Sequence, residues 1–128
     1  MRLVAILVYR LAIPAIQRRA ERYVSFMAVD REQEFHGAMV NIYQVAKRDL
    51  HYNATRFIQM VAEQGGVGAA RQLLHASTVS DGFSTLWLAK RLDLSVEAHV
   101  IRPEYAELFT AEERNIAQRR LEEYGYRP

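Results

Sequence analysis

From Asp30 onward the chain is patterned for helices. Phe35, Met39, Ile42, Tyr43 and Ala46 recur at intervals of three and four, the spacing of one buried helical face. Asp30 and Gln33 stand at capping-box distance ahead of that stripe, so a helix is expected to begin there. Asn53 is placed to cap a second helix that runs to Gln64 with Phe57, Met60 and Val61 inward. Gly65 and Gly66 are expected to end it, because glycine enters the left-handed region without strain. A short third helix carries Val67, Ala70, Leu73 and Leu74 on one side. Ser80 or Asp81 caps a helix with Phe83, Leu86, Trp87 and Leu88, and Ser95 caps another that Pro103 stops or restarts. In the last helix Thr110 and Glu113 form a capping box, Glu112 and Glu113 meet the positive end, and Arg119 and Arg120 sit near the negative one. Ile116, Ala117, Leu121 and Tyr124 make its inner face, and Gly125 closes it.

Residues 1–29 follow a different pattern. Leu3–Tyr9 and Leu11–Ile16 are apolar, with Arg10 between them and Pro14 inside the second run. The stretch is too short and too interrupted for a membrane span. It also lacks the unbroken apolar region and small-residue cleavage site of a secretory leader. Leu3–Tyr9 read as a strand would have no partner. The preferred expectation is a first element that packs on the rest; an arginine-rich targeting peptide and an amphipathic surface helix are the alternatives. Charge divides the chain in the same place. The first 22 residues hold five arginines against Glu21, a balance of +4, while the whole chain carries +2 and the remainder therefore −2. The expected organisation is a basic, apolar segment over 1–29 and a helical domain over 30–128. The expected fold class is all-α, a compact bundle of about six short helices with an extra N-terminal helix or strand.

Composition removes several kinds of chemistry. Half of the 128 residues are hydrophobic and a quarter charged, enough to bury a core without a covalent or metal staple. Cysteine is absent, which excludes disulfides, thiolate zinc, iron–sulfur ligation and cysteine nucleophiles, and suits a reducing compartment; the cytoplasm is the expected location. His36, His51, His75 and His99 are at least 15 residues apart, so no pair has metal-ligand spacing on one helix, and no metal or cofactor is expected. Gly65, Gly66 and Gly68 precede a helix but follow no strand and lead to no Lys-Ser or Lys-Thr pair, so they fit neither phosphate-loop pattern. Asp49, His51 and Ser77 or Ser80 would make a triad only if the fold gathered them.

The stretches EFHGAM, YNATRFIQMV, GGVGAARQLL, SDGFSTLW, RLDLSVEA, LFTAEE and RRLEEYGY, in this order, resemble a family of small bacterial all-helical proteins with no established activity. The resemblance covers Glu34 to Pro128 and implies a compact helical domain and a bacterial source, without chemistry. Four polar residues inside these stretches are not explained by helix capping: Arg56, Arg91, Asp93 and Glu97. They are expected to form an ion-pair network tying the second helix to the Trp87 and Ser95 helices; the alternative is a binding surface.

The expected function is a non-enzymatic helical interaction module or accessory protein, whose partner is another protein or a second copy. One alternative is a nucleic-acid-binding regulator using a degenerate helix-turn-helix over Leu88–Arg102. Asp93 stands there where glycine usually makes the turn, His99 where an apolar residue should pack, and Pro103 cuts the second helix short, so specific DNA recognition is not expected. The other alternative is an enzyme whose site is assembled only in three dimensions.

Overall fold

A computed structural model describes the backbone of residues 2–128 and the side chains of 14–27 and 30–128. The class is all-α, and no strand occurs among the described residues. The helices are α1 (Arg2–Leu50), α2 (Thr55–His75), α3 (Asp81–Leu88), α4 (Val96–Val100) and α5 (Ala111–Glu123). Two 3-10 helices, Leu92–Leu94 and Pro103–Leu108, flank α4.

The first element departs from expectation. It is one helix of 49 residues that passes through Asp30, so Asp30 and Gln33 do not cap a helix start and the strand alternative for Leu3–Tyr9 falls away. Between Pro14 and Gly37 there is no glycine or proline, and Ala, Arg, Glu and Met hold the helical conformation at little cost. Contacts nevertheless divide the chain into units of residues 1–30 and 31–128. In the first unit, Ile16, Tyr23, Val24, Phe26 and Met27 are exposed, while the side chains of 1–13, on which much of the expected packing of this element falls, lie outside the described residues.

The second unit has its core where the helical stripes predict it. Phe35, Met39 and Ile42 from α1 pack with Val61, Ala69, Ala70 and Leu74 from α2, Val96 and Val100 from α4, and Ala117 from α5. Phe35 stacks edge-on against Tyr105 and Phe109, each at 5.1 Å between ring centres. A second cluster joins Phe83 and Leu86 to Leu92, Leu94, Ala98 and Leu121. Trp87 and Leu88, expected on the inner face of α3, are exposed. The Trp87 ring packs edge-on against Tyr124, and its indole N–H donates to the Tyr124 carbonyl at 3.2 Å.

Helix starts and breaks place the remaining parts. Ser80, Ser95 and Thr110 cap α3, α4 and α5 as expected, and the Thr110–Glu113 capping box is complete. Asn53 does not cap α2; Ala54 occupies that position, and the Asn53 side-chain oxygen accepts from the Tyr43 hydroxyl at 2.9 Å. Gly65, at φ 76° and ψ 165°, breaks α2 in its middle as its sequence position predicts. Gly66 serves a different purpose from the expected helix end. Its amide donates to His36 Nδ1 at 3.0 Å, and a Cβ there would lie 2.6 Å from the His36 Cα, so only glycine lets α2 come this close to α1.

Candidate functional site

Three separated stretches of the second unit surround a cleft of 630 Å³. Tyr52–Phe57 forms one lip, leading into α2. Thr78–Phe83 forms the other, leading into α3. Ser95, Val96 and Glu97 lie at the start of α4, and Ile42, Met60, Leu73 and Leu86 add apolar wall. The size is that of a ligand site, and the apolar wall is mixed with polar side chains such as Asn53, Gln72, Thr78 and Asp81.

Several polar groups of the cleft are already engaged by local structure. The Ser80 hydroxyl accepts from the Phe83 amide at 3.1 Å. The Ser95 hydroxyl donates to the Leu92 carbonyl at 2.6 Å and accepts from the Ala98 amide at 3.1 Å. Glu97 differs. Its side chain is only 4 % exposed, and the one cation near it is Arg120, whose Nη1 stands 3.8 Å from Oε2, beyond hydrogen-bond distance. Arg120 is held elsewhere: it donates to the carbonyls of Leu73, Leu74 and Ala76 at 2.9, 3.2 and 2.6 Å, closing the C-terminal end of α2. Burial therefore pushes the Glu97 carboxyl above its ordinary value, and neither its own backbone amide nor Arg120 offsets that.

Of the four residues singled out in the sequence, the cleft brings together Arg56, exposed at its rim, and Glu97. Arg91 and Asp93 are elsewhere, joined to each other by two bonds of 3.1 and 3.3 Å. The expected ion-pair network across helices is thus replaced by a local pair at the turn after α3, because two residues of separation let the side chains meet there. Arg120 is the member that sequence reasoning missed. Its place in the last turn of α5 signals a favourable charge at a helix end, but not its reach to a different helix.

A second polar centre lies between α2 and α5. Glu113, also 4 % exposed, accepts from the Thr110 amide at 2.9 Å, is bonded to His75 Nε2 at 3.0 Å, and pairs with Arg71 Nε at 3.3 Å. Arg71 also donates to the Leu108 carbonyl at 2.8 Å. Burial acts to raise the Glu113 pKa, yet the Thr110 and His75 hydrogen bonds and the Arg71 charge outweigh it and hold the carboxyl below its ordinary value. A smaller hollow of 340 Å³ runs beside α5 to Tyr126 and Pro128, and Arg114 lines it. The Arg114 Nε is buried without a partner, while its Nη2 donates to the Ile101 carbonyl at 3.1 Å.

The other expected chemistries can be placed as well. All five residues of α4 are buried, so the second helix of the helix-turn-helix alternative presents no side chain to a DNA groove. Burial lowers the His99 pKa, and its Nδ1 lies 2.7 Å from the Ser95 carbonyl, to which it can only donate. Asp49 pairs with Arg48 and His51 is exposed, so no triad forms with Ser77 or Ser80. Among the described residues no group of three His, Asp or Glu is arranged to hold a metal ion, and no helix is long and apolar enough to cross a membrane. No family model, curated protein or solved structure matches the chain.

Proposed function

We propose that residues 31–128 form a binding module, not an enzyme, that seats a short segment of another protein in the cleft between α2, α3 and α4. The observation that carries this reading is the cleft's composition. It has apolar walls and a single buried carboxyl, while the hydroxyls of Ser80 and Ser95 are engaged by backbone groups. A nucleophile needs a base within hydrogen-bond reach, whereas a peptide site needs apolar surface and a few fixed polar groups. Glu97 supplies an acceptor for one donor of the ligand, and Arg56 meets acidic groups at the rim.

The test is selection of a random peptide display library on the full chain, followed by amide shift mapping of the enriched peptides. Shifts are expected in Tyr52–Phe57, Thr78–Phe83 and Ser95–Glu97. Thr55→Arg, which adds bulk at an exposed cleft position, is expected to weaken binding at least about tenfold, as loss of a central contact does. Enrichment of nothing, or shifts confined to another face, would reject the reading.

A further inference from the structure

We infer that the N-terminal unit, residues 1–30, docks on an anionic lipid surface through the exposed apolar and basic side chains of residues 16–27. Four observations support this, none of which involves the cleft. First, large apolar side chains there are exposed: Ile16 by 63 %, Tyr23 by 66 % and Phe26 by 68 %, with Val24 and Met27 beside them. Second, three of them share a side. Ile16, Tyr23 and Met27 are seven and four residues apart, the spacing of one helical face. Third, the charge next to this face has one sign. Over residues 1–30 five arginines, Arg18, Arg19 and Arg22 among them, stand against Glu21 and Asp30, a net +3. Fourth, the apolar run Leu3–Ile16 that precedes it is broken by Arg10 and Pro14, so it suits lying in an interface better than crossing a bilayer.

The charge decides between the two occupants of such a face. A second copy would bring another +3 against the first, and Glu21 and Asp30 are too few to offset it. Anionic headgroups supply the missing negative charge, while Tyr23 and Phe26 enter the headgroup boundary and the arginine stems run back to the phosphates. Each arginine near such a surface strengthens binding about fivefold.

The experiment is co-sedimentation of the full chain with vesicles of phosphatidylcholine alone and with about a third phosphatidylglycerol, at low and high salt. Binding to the anionic vesicles is expected, at least about tenfold weaker on neutral ones and weaker in high salt. Arg18→Glu, Arg19→Glu and Arg22→Glu together, and separately Tyr23→Ser with Phe26→Ser, are expected to lose it. All five positions are exposed, so the thermal melt of each variant should match the parent. The inference is overturned by absent binding to anionic vesicles, or by equal binding of the charge-reversed variant. It is equally overturned if sedimentation shows a dimer that Tyr23→Ser with Phe26→Ser dissolves while vesicles are ignored.

Discussion

Glu97 and Glu113 are equally inaccessible to solvent, but Glu97 sits deeper in the protein, and the two are held in opposite ways. Each side chain is 4 % exposed, and each lies within the first turn of a helix capped by a hydroxyl residue. Glu113 faces the Thr110 amide, His75 and Arg71, and its pKa falls. Glu97 faces its own amide and an arginine already bonded to three carbonyls, and its pKa rises. Solvent access alone therefore does not separate the structural carboxylate from the cleft carboxylate. The number of donors aimed at it does. By that measure Glu113 is a joint between α2 and α5, and Glu97 belongs to the cleft.

The largest effect should come from removing the joint. Glu113→Ala takes away half of the capping box, leaves the Thr110 amide short of an acceptor and frees His75 and Arg71. Both side chains are about half exposed, so solvent screening discounts their share. The loss of the cap and the buried bonds still amounts to about 2–3 kcal/mol. A urea denaturation midpoint measures it. A change under about 1 kcal/mol would mean that the donors around Glu113 are incidental, and the contrast with Glu97 would collapse.

The pH dependence of stability sharpens the comparison, because the two groups have opposite signs. Glu113, with a folded pKa below the ordinary 4.5, contributes stability that is present above that value and lost as pH falls through the lowered one. Glu97, with a folded pKa above 4.5, binds its proton more tightly in the folded state. Its burial therefore removes stability as pH rises from 4.5 through the raised value. Glu97→Gln keeps the shape and abolishes that titration. The variant is expected to be more stable than the parent at about pH 8, by roughly 1–2 kcal/mol, with the gap closing towards about pH 4. Thermal melts at the two pH values decide it. A variant less stable at the higher pH would show Glu97 ionised and firmly paired with Arg120, which would make it a second structural carboxylate.

Much of this fold is legible in the sequence where a local rule acts alone. Ser80, Ser95 and Thr110 announce helix starts because a hydroxyl at that position satisfies an amide two or three residues on. Gly65 announces a break, and the stripe of Phe35, Met39 and Ile42 announces a buried face. The same kind of rule misplaces Asp30, because a capping pair does not interrupt a helix whose preceding residues also favour helix. It misplaces Asn53 too, whose side chain goes to Tyr43, ten residues earlier. The cleft was half visible. Arg56 and Glu97 stand out as polar residues without a local partner. Their meeting around one cavity depends on the α2–α4 packing, and the role of Arg120 on a reach of more than forty residues to the Leu73, Leu74 and Ala76 carbonyls. Spacing along the chain carries no information about either.

The smallest effect is expected at Arg91, and it separates local pairing from the tertiary pairing of Glu113. Read from the sequence as part of a buried network, Arg91 would strand a carboxylate when removed and cost about 3 kcal/mol. In the fold its guanidinium is 37 % exposed and its partner Asp93 is 49 % exposed. Asp93 raises the Arg91 pKa by hydrogen bond and charge, which describes the pair but adds little stability where water reaches both groups. The turn itself is held by backbone. The Arg91 amide donates to the Leu86 carbonyl at 2.8 Å, and the Leu94 amide to the Arg91 carbonyl at 3.0 Å; alanine keeps both. Arg91→Ala should therefore shift the urea midpoint by the equivalent of well under about 1 kcal/mol, and salt should shrink even that. A loss approaching that of Glu113→Ala would mean that the pair reaches beyond its turn, and number of donors alone would no longer separate the structural carboxylates from the rest.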